Sequence, residues 1–148
     1  MAASARLRYF SWQLIIPMVV GCFFISPSHA GPLQKKQSAF ALSVALLILQ
    51  ADKLGYEVTF GEAFRSAEQS SFQTKINAEK GIGISNSLHT MRLAIDLMLF
   101  KNGKFLTDAE DYLALGEWWE KLHPSCRWGG RFKLKDAIHF SFIHNGVQ

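Results

Sequence analysis

Apolar and polar positions alternate with helical spacing between residues 38 and 54, which predicts a helix with one buried face. That face comprises Phe40, Val44, Leu47, Ile48 and Leu54. Gly55 is a natural residue to end it, because glycine adopts left-handed backbone without strain. Residues 31–36 are mostly polar and predict an exposed lead-in, and residues 56–60 alternate as a half-buried strand does.

Two capping boxes predict the starts of two further helices. Ser66 with Gln69 marks one start, and Thr107 with Glu110 marks the other. We expect the first helix to begin directly after its cap. We expect the second to end two residues before Pro124, which cannot continue it.

Two apolar segments, residues 93–100 and 138–143, predict buried strands. Asn102-Gly103 is a strong hairpin signal, so residues 104–106 should return antiparallel to the first strand. Trp128-Gly129-Gly130 predicts a turn. Short helices beside a small antiparallel sheet define an α+β fold class.

Composition limits the class of protein. The 148 residues are 49% hydrophobic and 13% aromatic, which supports one folded domain, residues 31–148, expected to be monomeric. The net charge is +4, but Arg6 and Arg8, in a segment without acids, supply two of those four charges. The other Lys and Arg residues are scattered rather than aligned in a stripe, so no nucleic-acid partner is expected.

Residues 1–30 predict a signal peptide that exports the protein to the periplasm or cell envelope. A basic start is followed by an apolar stretch, residues 12–25, and by a small-x-small site ending at Ala30. An uncleaved segment would instead tether the protein to the membrane, and Cys22 lies in a lipobox-like sequence. Cleavage after Ala30 would leave Cys126 alone, which excludes an internal disulfide and favours nitrogen and oxygen ligands for any metal.

Four side chains could carry metal chemistry. Asp96 lies inside a strongly apolar strand, where a carboxylate needs a cation, a metal or several hydrogen bonds, and His89 precedes it by seven residues. Near the C-terminus, Asp136 precedes His139 by three residues. Two imidazoles and two carboxylates suffice for a three-ligand zinc site with a general base. Alternatively, Asp96 is held by backbone N–H groups or Arg92, and the other three are structural.

Arg65 stands at the junction between a predicted strand and a predicted helix. A guanidinium there could bind a carboxylate or a developing oxyanion through its planar fork of donors. The alternative is a surface ion pair with Glu62 or Glu68.

Taken in order, these motifs resemble the zinc peptidases of the D-Ala-D-Ala carboxypeptidase and L-alanyl-D-glutamate endopeptidase group, over roughly residues 38–143. That family has an arginine before Ser-x-x-Gln, then Ser-x-His-x-x-Gly-x-Ala-x-Asp, then an acid followed after two residues by His-Phe. The residues that match are Arg65, Ser66, Gln69, Ser87, His89, Ala94, Asp96, Asp136, His139 and Phe140. The chain departs from the pattern at Arg92, which stands at the family's glycine, and at Ser141, where many members carry an acid.

The resemblance implies an α+β zinc domain like those of Hedgehog proteins and DD-peptidases. It implies Zn²⁺ bound by His89, Asp96 and His139, a general base at Asp136, and substrate contacts from Arg65, Ser87 and Gln69. The implied activity is hydrolysis of peptide bonds in peptidoglycan stem peptides, with L-Ala-D-Glu cleavage favoured over D-Ala-D-Ala cleavage. Wall turnover and prophage lysis fit equally. The alternative is a catalytically inactive, zinc-containing wall-binding domain on the same scaffold.

Overall fold

A computed structural model describes residues 31–79 and 87–148. The predicted signal peptide and the predicted loop at residues 80–83 lie outside these ranges. Within them, the chain forms three α helices and a small antiparallel sheet, so the α+β prediction is confirmed. The elements are α1 (Pro32–Lys53), β1 (Glu57–Phe60), α2 (Ala67–Glu79), the 3-10 turn η1 (Leu88–Met91), β2 (Ala94–Lys101), β3 (Lys104–Phe105), α3 (Ala109–Leu122), β4 (Cys126–Trp128), the 3-10 turn η2 (Gly129–Arg131) and β5 (His139–Phe142).

Strand β2 lies at the centre of the sheet, whose order is β1-β2-β5-β4, with β3 paired to the end of β2. All pairings are antiparallel. The β2–β3 turn has positive φ at Asn102 and Gly103, as the predicted hairpin requires. Strand β4 was not predicted, because its three residues are too few to show a period.

Helix α1 begins six residues earlier than predicted, so the expected lead-in at residues 31–36 is wrong. Pro32 occupies the first helical turn, where its fixed φ suits a helix and its missing N–H costs nothing. The helix ends as predicted, with Gly55 at φ 79°. Among the described residues, no helix combines the length and the apolar character that crossing a bilayer requires.

The first predicted capping box is confirmed and the second is wrong. The backbone N–H of Ser66 donates to Gln69 Oε1 at 2.8 Å, and that of Gln69 donates to Ser66 Oγ at 3.2 Å, at the start of α2. Helix α3 begins at Ala109, one residue later than a cap at Thr107 predicts. Its N-cap is Asp108, which makes no side-chain capping bond.

The core lies between one face of the sheet and helices α1 and α3. It is closed by Trp128, whose indole packs against two glycines: a Cβ on Gly116 or on Gly130 would stand 2.2 Å from the ring. The indole N–H of Trp128 donates to the carbonyl of Ala137 at 2.8 Å. These contacts attach the loop before β5 to α3, and that loop carries the candidate site residue Asp136.

Candidate metal centre

The register of the sheet brings two candidate ligands together. Asp96 in β2 pairs directly with His139 in β5, although the two lie 43 residues apart in the chain. Directly opposed residues of an antiparallel pair project to the same face, so both side chains point away from the core. His89 reaches the same point from η1, the turn that leads into β2.

The three ligand-capable atoms form a nearly regular triangle. His89 Nε2 lies 3.2 Å from His139 Nδ1 and 3.4 Å from Asp96 Oδ1, and His139 Nδ1 lies 3.2 Å from Asp96 Oδ1. In the described part of the chain these residues are the cluster able to hold a metal ion. His89 is buried, and the other two are partly buried.

These separations fit zinc. Tetrahedral ligands at about 2.0–2.1 Å from Zn²⁺ stand about 3.3–3.4 Å from one another. Without a cation, the two ring nitrogens and the carboxylate oxygen would converge with too few protons to hydrogen-bond every pair. Two imidazoles and one carboxylate are also a donor set that zinc accepts, and they leave a fourth position for water or substrate.

Electrostatics keep Asp96 ionised. Burial alone would raise its pKa, but hydrogen bonds from His139 and His89, together with the charges these imidazoles can carry, hold the pKa of Asp96 well below its usual range. The backbone of Asp96 is also held: its N–H donates to the carbonyl of Glu62 at 2.9 Å, and its carbonyl accepts from Gly61 at 2.8 Å. An anionic oxygen thus faces the imidazoles from a rigid strand.

Backbone contacts orient His89. The Ser87 hydroxyl caps η1 by accepting the N–H of His89 at 3.3 Å, so Ser87 supports the ligand-bearing turn. The carbonyl of His89 accepts N–H groups from both Arg65 at 3.4 Å and Arg92 at 3.2 Å. Among the described residues, His89 Nδ1 and Ser141 Oγ are the buried side-chain polar atoms without a hydrogen-bond partner.

Asp136 lies on the loop before β5, close to the three candidate ligands. The residue is exposed as a whole, but its carboxyl group is partly desolvated. This desolvation and the nearby Asp96 charge raise the pKa of Asp136, whereas His139 and His89 oppose the rise. Gly129 allows the approach, because a Cβ there would stand 2.3 Å from the Asp136 carbonyl oxygen and 2.9 Å from His139 Cβ.

Arg65 makes the ion pair that the sequence offered as its structural alternative. Its Nε donates to both carboxylate oxygens of Glu62, at 2.9 and 3.0 Å, and its Nη2 also contacts that carboxylate. The Glu62 carboxylate is the main cause of the raised pKa of Arg65, and the Asp96 charge adds to it. Glu62 thus occupies the Nε and Nη2 side of the guanidinium.

Three other residues considered in the sequence have different surroundings in the structure. The Gln69 side-chain oxygen is engaged in the α2 cap, and its substrate contact stays a prediction. Arg92 does not neutralise Asp96 and lies instead over the Phe64 ring. Cys126 is buried, and burial raises the pKa of its thiol to about 12, so it is a packed thiol rather than a nucleophile.

Sequence reasoning missed the residues that shape the site without bonding to a ligand. Gly61 packs so closely on Asp96 that a Cβ would stand 2.9 Å from the aspartate Cβ, and Gly129 plays the corresponding part beside Asp136. Both glycines follow strands directly, which is a weak signal of close backbone approach.

Comparisons with known proteins agree with this arrangement. Residues 81–142 match the model of a family described as D-alanyl-D-alanine carboxypeptidase. The fold is similar to the crystal structure of the Serratia marcescens L-Ala D-Glu endopeptidase ChiX, with a TM-score of 0.52, 18% sequence identity, and coverage of 77% of this chain and 88% of that chain. No curated protein matches the sequence. The resemblance to this peptidase group is confirmed, with the family match lying over the segment that contributes all three candidate metal ligands and Asp136.

Proposed function

We propose that the protein is a zinc-dependent peptidase that hydrolyses peptide bonds in peptidoglycan stem peptides. The observation that carries the proposal is the triangle of His89, Asp96 and His139, whose edges of 3.2–3.4 Å suit a tetrahedral metal. The peptidase family match and the fold shared with an L-Ala D-Glu endopeptidase support the reaction class and favour cleavage of the L-Ala-D-Glu bond.

In this proposal the three ligands hold Zn²⁺, which when bound acidifies a water molecule and polarises the carbonyl of the scissile bond. Asp136 accepts the proton of the attacking water and passes it to the nitrogen of the leaving amine. A raised pKa suits a group that both takes and returns a proton. The Arg65 guanidinium is hydrogen-bonded to Glu62 through Nε and Nη2. Its remaining donors stabilise the carbonyl oxygen of the scissile bond, which gains negative charge during the reaction.

The place of action follows from the predicted N-terminal signal and from the substrate, which lies outside the inner membrane. We propose export to the periplasm or cell envelope. Intact mass of the protein from the envelope fraction tests this: a start at Gly31 supports cleavage, a lipid-modified start at Cys22 supports a lipoprotein, and retention of Met1 supports an anchor.

The experiment for the activity is zinc analysis combined with mass spectrometry of defined muropeptides. The purified protein should bind one zinc ion and cut one type of peptide bond, and His89→Ala should abolish both properties. His144→Ala is the matched control, since this histidine lies near the C-terminus and outside the cluster. Full zinc occupancy in His89→Ala would show that His89 is not a zinc ligand. Zinc binding by the wild-type protein without any cleavage would favour the wall-binding alternative.

A further inference from the structure

Arg92 has an unusual backbone for an arginine. It follows η1 with φ 53° and ψ 39°, in the left-handed region that disfavours residues with a Cβ. Glycine at this position would be free of that strain. Strained backbone conformations of this kind cluster at functional sites, where the surrounding structure holds them.

The guanidinium of Arg92 is held in place by an aromatic ring. Its Cζ lies 4.3 Å from the centroid of the Phe64 ring, a cation–π distance. A guanidinium above an aromatic ring can stack through its face, which leaves the N–H donors at its edge for a ligand. Both residues are exposed, so a substrate can reach that edge.

Arg92 also has an uncompensated charge. No carboxylate of the described residues forms an ion pair with it. The remaining segments, residues 1–30 and 80–86, contain no Asp or Glu that could pair with it. By contrast, Arg65 is already paired with Glu62.

The position of Arg92 relates it to the candidate metal centre. Its backbone N–H and that of Arg65 donate to one acceptor, the carbonyl of His89. The ring beneath Arg92 belongs to Phe64, the residue that precedes Arg65. The two guanidiniums therefore arise from the two turns that meet at the ligand His89.

We propose that Arg92, stacked on Phe64, forms a carboxylate-binding subsite, and that its ligand is a free carboxylate of a stem-peptide residue next to the scissile bond. The subsite rests on the proposed function, because the substrate class comes from it. Arg65 remains available for the reacting carbonyl, and Arg92 selects substrates by charge.

Binding of two matched peptides tests the subsite. One peptide contains L-Ala-D-Glu with its free carboxylate, and the other has that carboxylate converted to an amide. Calorimetry on zinc-loaded protein, in an Asp136→Asn background that limits turnover, should give a preference for the acid of roughly tenfold, as expected for a charge-assisted pair. Arg92→Gly should lose this preference, Arg92→Lys should retain part of it, and Phe64→Leu should weaken it.

The variants are chosen to keep the fold. Gly suits the backbone at position 92, so Arg92→Gly should melt no earlier than its parent. Lys101→Gln is the control, because Lys101 lies 5.3 Å from the Tyr56 ring centroid in a similar cation–aromatic pair at the far end of β2. It should leave the preference unchanged.

Three results would overturn the subsite: an equal affinity for the two peptides in the parent, a preference that survives in Arg92→Gly, or no measurable binding of the acid peptide. Cleavage of muropeptides by the wild-type protein is measured separately. If the wild-type protein cleaves muropeptides but Arg92→Gly still prefers the acid peptide, the Arg92 subsite is wrong and the proposed hydrolase activity stands. If the preference for the acid peptide depends on Arg92 but the wild-type protein cleaves no muropeptide, the subsite stands and the proposed hydrolase activity is wrong.

Discussion

Helices α2 and α3 differ in how firmly each is attached to the domain. Helix α3 buries Tyr112, Leu115, Gly116 and Trp119, whereas α2 has no buried residue. Helix α3 packs against β4 and η2 and so supports the loop that carries Asp136. The turn that carries Arg65 leads instead into α2, at the edge of the domain.

This difference divides the candidate site into a rigid side and a peripheral side. The candidate ligands lie on strands β2 and β5 and on the turn η1 that leads into β2, where register and core packing leave little freedom. The proposed substrate-contacting side uses the turn at residues 61–66 and Arg92, which are partly or fully exposed. Metal ligands need fixed geometry, whereas substrate contacts tolerate adjustment. The family match, residues 81–142, covers the rigid side and not the turn of Arg65.

The largest effect is expected on the rigid side at Asp136. General-base catalysis contributes typically about 10²–10⁴-fold to rate, so Asp136→Ala should lose most muropeptide cleavage. The variant should keep its zinc, because Asp136 is not in the ligand triangle. Zinc analysis and single-substrate kinetics on the same preparation check both parts. Turnover near the wild-type rate would assign proton transfer to another group.

On the peripheral side, Arg65→Ala should reduce kcat by roughly 10²–10³, the usual cost of losing an oxyanion donor. Its melting temperature should hardly move, since an ion pair that keeps part of its surface in water contributes about 0–1 kcal/mol. Arg65→Lys should recover only part of kcat, because the planar fork is lost. An Arg65→Ala protein that is stable, zinc-loaded and fully active would leave the Glu62 pair as a structural feature only.

The smallest effects on activity, and the clearest contrast in stability, are expected within the helices themselves. Leu115→Ala in α3 removes a fully buried side chain and should cost about 2–5 kcal/mol, lowering Tm by about 10 °C or more. Phe72→Ala in α2 truncates a ring that is 65% exposed and should stay within about 0.5 kcal/mol. Thermal melting of both variants measures the contrast. A comparable loss in Phe72→Ala would show that α2 is packed more firmly than its exposure indicates.

Much of the rigid side could be predicted from the order and type of its residues. The apolar run around Asp96 identified a buried strand with a misplaced carboxylate, because period and hydrophobicity are local properties. The Ser66–Gln69 cap and the Asn102-Gly103 turn were equally local, and both are confirmed. Motif order, rather than any single spacing, joined His89, Asp96 and His139 into one hypothesis.

Other features depended on contacts that no local pattern encodes. Sequence alone left Arg65 between an ion pair and a substrate contact, and the fold brings its guanidinium to Glu62. The placement of Arg92 over Phe64 joins residues that lie 28 positions apart. The roles of Gly61 and Gly129 appear only when the packed neighbours of each backbone are known.

Periodicity and residue type were therefore enough for the fold class and for the buried strand around Asp96, whereas the set of candidate ligands came from the resemblance to the peptidase group. Tertiary structure decided the spacing of the ligand atoms, which depends on the register that opposes Asp96 to His139. It also decided that Arg65 is paired with Glu62 whereas Arg92 has no ion pair among the described residues, because ion pairing depends on which side chains meet in space. A triangle with edges of 3.2–3.4 Å is a property of the packed sheet and not of any segment within it.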